Sequence, residues 1–323
     1  MAKRKIVLTR RWPDPVERRL AAAFDVELNA ADEPMSAGDL QSAMRSAEAL
    51  CPTVSDAVTA AVIGVEDARV QIIGNYGVGF NHIDIAAAKK TGVVVTNTPG
   101  VLTDCTADLA MTLLLMVARG AGEGERHVRR GEWTGWRPTH MMGTKVSGKT
   151  LGLVGFGRIA QAMARKAHFG FGMRIVFHTP RPPAPAVADE FEAVQCDSLE
   201  DLLHQSDFVS LHCPGTEHTH HLIDATRLAQ MPAHAYLINS ARGDVVDQDA
   251  LIEALSSGRI RGAGLDVFEN EPAIPDALRA MNNVVLLPHL GSATLETRIA
   301  MGMRVVDNLE AFFASREPRD RVG

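Results

Sequence analysis

Cysteine is scarce: Cys51, Cys105, Cys196 and Cys213 are the four in 323 residues, and no two of them form a C-x-x-C pair. That spacing argues against a disulfide scaffold or a cysteine-based metal framework, and it suits free thiols in a reducing cytoplasm. Positive charge is also short. Lys and Arg number 33 against 39 Asp and Glu, a net charge of −6, which argues against a nucleic-acid surface. The longest apolar stretch, Leu109 to Ala118, falls well short of a membrane span. The basic start, Met1 to Arg10, holds only Ile6-Val7-Leu8 as an apolar run, too short for a signal peptide. No repeat, coiled coil or low-complexity segment interrupts the chain. These absences lead us to expect a cytoplasmic protein with no membrane or nucleic-acid partner.

What is present is a globular composition, 46% hydrophobic and 22% charged, and a length that allows two domains with their own cores. Short apolar runs alternate with helical patterns, the signature of parallel sheets built from βαβ units. In the first third, strands are expected at Ile6–Thr9, Asp25–Leu28, Ala49–Cys51, Gln71–Gly74 and Val93–Val95, with helical patterns such as Pro15–Phe24 and His82–Lys89 between them. After the turn chemistry of Thr98-Pro99-Gly100 comes one long helical pattern from Thr103 to about Arg130. Its first half is apolar and its second half charged, so the first is expected to pack between domains and the second to emerge into solvent or onto a partner subunit.

A second alternation predicts strands Leu151–Val154, Arg174–Phe177, Phe208–Leu211, Tyr236–Asn239, Gly262–Leu265 and Val284–Leu286, with Pro180–Pro185 as a loop. The final pattern, Ser292–Phe313, is expected to cross back to the first domain. The fold class expected is α/β with two doubly wound domains. A Rossmann dinucleotide-binding domain, 100–288, is inserted into a flavodoxin-like substrate domain, 1–99 and 289–323, leaving a cleft between them.

Two features carry chemistry. Gly155-Phe156-Gly157-Arg158-Ile159-Ala160 follows a predicted strand and opens a predicted helix. Gly155 permits a tight turn, Gly157 lets backbone N–H groups approach a pyrophosphate, and Ala160 still allows close helix–strand packing. The next strand ends at His178 and is followed by Thr179-Pro180-Arg181 rather than by an acid. Nothing there repels a 2′-phosphate, so the loop favours NADP, with NAD the alternative. Downstream lie Arg242, Glu271 and His289. A cation to grip a carboxylate, a histidine to give a proton and a carboxylate to orient it are what hydride transfer to a keto acid needs.

The chain resembles the D-isomer-specific 2-hydroxyacid dehydrogenases over essentially its whole length. The likeness is carried by Asn75-Tyr76-Gly77-Val78-Gly79-Phe80-Asn81-His82-Ile83-Asp84, Thr96 to Thr103, Leu151 to Ala160, Leu211-His212-Cys213-Pro214, Asn239-Ser240-Ala241-Arg242-Gly243, Gly264 to Pro272 and Leu287-Pro288-His289-Leu290-Gly291. The first of these segments is most similar to the glyoxylate/hydroxypyruvate reductase branch. Thr179 stands where NAD-using members usually carry Asp.

The resemblance implies that His289 is the acid, that Arg242 orients and polarises the substrate, and that Glu271, rather than its neighbour Glu269, supports His289. It implies a glycine-rich loop in which the Val78 and Gly79 amides hold the substrate carboxylate. It places Thr106, Asp266, Cys213 and Pro214 at the cofactor, and we extend that set to Gly155, Phe156, Gly157, Arg158, Ile159, Thr179, Arg181, Thr219, Ser240, Ala241 and Gly291. His218, His220 and His221 read as a solvated loop rather than a metal site, and Cys105 and Cys213 lack a base that would make them nucleophiles. Trp133 and Trp136 fall in a region that relatives use for subunit contact, which implies a homodimer; Thr139-His140-Met141-Met142 offers no aromatic toward a partner's site. The activity implied is reduction of glyoxylate or hydroxypyruvate by NAD(P)H to the D-2-hydroxy acid. A longer sugar acid such as 2-ketogluconate, phosphoglycerate, a phosphite-type oxidation, or a non-catalytic dinucleotide sensor of the same fold are the alternatives.

Overall fold

The computed structural model describes residues 3–181 and 184–322, so Pro182 and Pro183 of the expected proline-rich loop lie outside the described residues. The chain divides into two compact units, 1–102 with 292–323, and 103–291 inserted between them. In the first unit β1 (Lys5–Leu8), β2 (Asp25–Leu28), β3 (Ala49–Cys51), β4 (Ile72–Gly74) and β5 (Val94–Thr96) lie in the parallel order 2-1-3-4-5. That is the flavodoxin-like order. A short strand β13 (Arg321–Val322), not anticipated from the sequence, adds antiparallel to β5.

The second unit holds seven parallel strands: β6 (Thr150–Val154), β7 (Arg174–His178), β8 (Val194–Gln195), β9 (Phe208–Leu211), β10 (Tyr236–Asn239), β11 (Gly262–Leu265) and β12 (Val284–Leu286). Their order, β12-β11-β10-β9-β6-β7-β8, contains the Rossmann arrangement with its switch point between β6 and β9. These strands are apolar nearly throughout, as a parallel sheet covered on both faces requires.

The long helix expected at 103–130 is corrected to two. Thr103–Arg119 ends at Gly120, whose φ of 58° is left-handed, and Ala121–Arg129 departs at 66°. Glycine reaches that conformation without a Cβ penalty, so the break falls there. The first helix buries Ala110, Leu113, Leu114 and Val117 on β10–β12 and on helix Arg158–Phe171, within its own unit, while the second buries nothing. No single helix among the described residues is long and apolar enough to cross a membrane.

The last helix, Leu295–Phe313, is capped by Thr294 and packs on helix Asp14–Ala23 and on β4. Its partner in the tail is buried Asp320, which receives both arms of Arg304 at 2.6 and 2.7 Å and the Asn308 amide at 3.0 Å. The Asp320 carbonyl takes the Asn97 N–H at 3.1 Å, so the pair ties helix, tail and β5 together. Burial alone would raise the Asp320 carboxyl, but Arg304 and Asn308 outweigh it and hold it below the usual range. A depressed folded value stabilises above the unfolded carboxylate pKa near 4 and loses that contribution as pH falls through the folded value. Asp320→Ala is therefore expected to cost about 3 kcal/mol in urea unfolding near pH 7 and to flatten the acid side of the stability profile.

Candidate active site

In the inserted unit the candidate residues other than Thr106, which lies on helix Thr103–Arg119, follow the carboxyl ends of parallel strands, where such sheets bind ligands. After β6, Gly155 turns with φ of 86°; a Cβ there would lie 3.0 Å from the backbone N of Cys213 and C of His212. Only glycine allows the β6 and β9 turns to approach this closely. Gly157 then caps helix Arg158–Phe171 and faces open space, leaving the first helical amides ready for an anion. The Phe156 side chain is corrected to a core residue, stacked on Phe177 at 4.0 Å, so only its backbone can meet a cofactor. Beyond β7, Arg181 is exposed, and the Thr179 hydroxyl donates to the Arg181 carbonyl at 3.4 Å.

After β9, burial drives His212 down to about 4, so it is neutral at pH 7, and pushes the Cys213 thiol up to about 11. Neither behaves as a reactive group at neutral pH. The Thr219 hydroxyl closes its own turn, donating to the Pro214 carbonyl at 2.6 Å and accepting the Thr216 N–H at 2.8 Å. Its hydroxyl is engaged in that turn rather than reserved for a cofactor.

After β10, Asn239 shapes the turn that follows. Its Oδ1 accepts the Ala241 N–H at 3.0 Å and its Nδ2 donates to the Arg242 carbonyl at 2.9 Å. This residue was missed from sequence, although an amide side chain ending a strand before a tight turn is a readable signal. Ser240 Oγ is buried without a hydrogen-bond partner among the described residues, an opening that a polar ligand could satisfy. Burial lowers Arg242 from its ordinary value, opposed by the charges of Glu271 and Asp244.

After β11, Asp266 is fully buried. Burial pushes its carboxyl up to about 6 against the pull of two amides, Leu290 N–H on Oδ1 at 2.7 Å and Gly291 N–H on Oδ2 at 2.8 Å. Its carbonyl accepts the His289 N–H at 2.9 Å. These bonds keep His289, Leu290 and Gly291 within the inserted unit, which therefore ends three residues later than the expected boundary at 288. Gly291 also faces Thr106, where a Cβ would come within 3.5 Å of Thr106 Cγ2.

His289 adopts a left-handed φ of 55°, unusual for a residue with a Cβ, and its Nδ1 lies 2.8 Å from Glu271 Oε2. Glu271 Oε1 accepts the Phe268 N–H at 3.0 Å. Burial raises the Glu271 carboxyl, but His289, the Phe268 amide and Arg242 outweigh it and leave it below its ordinary value. The neighbouring Glu269 instead meets His221 Nε2 at 2.9 Å. His220 stacks on His221 at 4.0 Å, and His220, His221 and Glu269 bring ligand-type atoms within 4.8 Å of one another.

The dinucleotide-type turn and the buried orphan hydroxyl fit a nicotinamide dinucleotide. Comparison with known proteins agrees with this geometry. Residues 111–291 match the model of the D-isomer specific 2-hydroxyacid dehydrogenase NAD binding domain. A glyoxylate reductase from Thermococcus litoralis is 45% identical, covering 99% of this chain and 97% of the relative. The chain belongs to the D-isomer specific 2-hydroxyacid dehydrogenase family. A glyoxylate reductase from Pyrococcus horikoshii is 44% identical over 96% of this chain and 93% of its own. Among solved structures, an NADPH-dependent glyoxylate/hydroxypyruvate reductase from Sinorhizobium meliloti, in complex with NADP and malonate, is 34% identical. It covers all of this chain and 97% of the other at a TM-score of 0.89. Membership makes the protein an NAD(P)-dependent oxidoreductase.

Replacing Gly155 with Ala should cost about 1–2 kcal/mol of stability for the left-handed backbone alone. The forced separation of the two turns should weaken NADPH binding about tenfold or more, read by quenching of intrinsic fluorescence.

Proposed function

We propose that the protein reduces a short 2-keto acid, glyoxylate or hydroxypyruvate, to the D-2-hydroxy acid with NADPH as the favoured reductant. The observation that carries the reading is the His289–Glu271 pair at 2.8 Å, in the same unit as the Gly155 turn and beside the charge of Arg242. A bound nicotinamide supplies the hydride. Arg242 grips the carboxylate and carbonyl of the acid and draws electron density onto the carbonyl oxygen. Glu271 occupies His289 Nδ1, leaving Nε2 as the ring nitrogen that gives its proton to that oxygen. Glu271, held below its ordinary value in part by His289, is ionised near neutral pH and fixes the orientation of that ring. In the first unit, the amides of Val78 and Gly79 are proposed to bind a carboxylate, and the absence of side-chain length in that recognition suits a small acid.

Thr179 and Arg181, with no acid after β7, support NADPH over NADH. Gly155, Gly157, Arg158, Ile159, Cys213, Pro214, Ser240, Ala241, Asp266, Gly291 and Thr106 are the further cofactor residues we propose. We also propose a homodimer. Trp133 and Trp136 are 55% and 81% exposed, and Val128 and Met142 in the same stretch of sequence are exposed too, large apolar side chains that a second copy would cover. Four free cysteines among the described residues suit a reducing cytoplasm.

Purified protein should consume NADPH faster than NADH with glyoxylate and hydroxypyruvate, and more slowly with 2-ketogluconate and pyruvate. His289→Ala should lower kcat by about 10²–10⁴-fold. Glu271→Gln should lower kcat, because the carboxylate that holds the His289 ring through Nδ1 is gone. Tight NADPH binding without turnover of any acid would replace this reading with a dinucleotide sensor. Sedimentation should show a dimer that Trp136→Asp weakens.

A further inference from the structure

Within the first unit, the loop 77–80 follows β4 with its carbonyls consumed by the protein. Asn75 is fully buried, and its Nδ2 donates to the Gly77 carbonyl at 3.0 Å and to the Gly79 carbonyl at 2.9 Å. Asn97, also buried, donates from Nδ2 to the Val78 carbonyl at 2.8 Å, and the Thr98 N–H adds a second bond to Gly77 at 3.0 Å. All three peptides are trans. In a trans peptide the N–H points opposite to the C=O of the same plane. Drawing in the carbonyls of Gly77, Val78 and Gly79 therefore turns out the N–H groups of Val78, Gly79 and Phe80. None of these three has an acceptor among the described residues, and all three lie at least partly exposed, so they are open to a ligand.

We propose that Asn75 and Asn97 are positioning residues that present the amides of Val78, Gly79 and Phe80 as a three-donor site for a carboxylate. The inference rests on the reading above that this loop takes the carboxylate of the keto acid, and adds the Phe80 amide and the side chains that aim all three. His82 completes the device. With both Asn75 Nδ2 hydrogens committed to carbonyls, the atom 3.0 Å from His82 Nε2 is Oδ1, an acceptor, so Nε2 carries the proton. That bond prevents the Asn75 amide from flipping, which would set an oxygen against two carbonyl oxygens. Gly77 leaves room for the arrangement: a Cβ there would meet Val54 Cγ1 at 3.1 Å and Asn75 Nδ2 at 3.6 Å.

The test combines steady-state kinetics of the full chain with amide shifts of ¹⁵N-labelled protein titrated with oxalate, a carboxylate that cannot be reduced. In the wild type the Val78, Gly79 and Phe80 amides should shift together. Asn97→Ala should raise KM for glyoxylate about tenfold, with kcat and NADPH affinity within about twofold, because the lost binding is shared by ground and transition states. Asn97→Ser, which retains a donor, should recover part of that loss. Asn75→Asp should act in the same direction more strongly; should it fail to fold, Asn97→Ala carries the test alone. His82→Leu should raise KM, and His82→Gln, which keeps a donor toward Asn75, should raise it less. Unchanged KM and oxalate response in a folded Asn97→Ala would overturn the positioning role while leaving the carboxylate reading intact. Wild-type amides that ignore oxalate while glyoxylate is turned over would overturn both.

Discussion

The arrangement in the inserted unit depends on one buried carboxylate. Asp266 receives the N–H groups of Leu290 and Gly291 on its side chain and that of His289 on its carbonyl. Burying an acid is expensive, as its rise to about 6 shows, and the two amides are what make it tolerable. In return, the segment after β12 is pinned to the end of β11 over three consecutive residues. His289 can then hold a left-handed backbone that a free loop would abandon, and its ring meets Glu271, itself anchored on the Phe268 amide. Removing this clamp would leave every side chain of the trio present but its geometry undetermined.

The same device operates in both units: an asparagine at a strand end fixes the peptides of the turn that follows it by hydrogen bonds to the backbone. Asn239 does this for the turn that carries Arg242, and Asn75 with Asn97 for the loop 77–80. An asparagine at the end of a parallel strand offers donor and acceptor together, so one side chain can bind both sides of a tight turn. Close packing of neighbouring strand ends adds rigidity. A Cβ on Gly243 would sit 2.0 Å from the Phe268 carbonyl, which leaves the turns after β10 and β11 in backbone contact.

Much of the fold was legible because buried parallel strands are continuous apolar runs, and eleven strands, the exposed β2 among them, were placed within about a residue of their observed ends. The two that were missed, Val194–Gln195 and Arg321–Val322, are two residues long and exist only because a neighbouring edge pairs with them. The change from apolar to charged after Ala118 was visible, but the break at Gly120 was not, since a glycine inside a helical pattern does not announce whether it bends the chain. Among the site residues, the sequence could name two carboxylates two positions apart. Their separation was settled by distant partners, His221 taking Glu269 and His289 taking Glu271, 48 and 18 residues away.

The sequence by itself determined the local features: strand and helix periodicity, the glycines whose backbone no other residue could adopt, and the absence of an acid after β7. These depend on neighbours along the chain and so leave a mark in a short window. Tertiary structure alone decided which histidine meets which carboxylate, that the Phe156 side chain packs in the core, and which way the amides of 78–80 face. The last of these turns on Asn97, 19 residues beyond the carbonyl it captures. Such pairings are fixed by strand order, and the hydrogen-bonding capacity of a side chain says nothing of its partner until the sheet has brought the strand ends side by side.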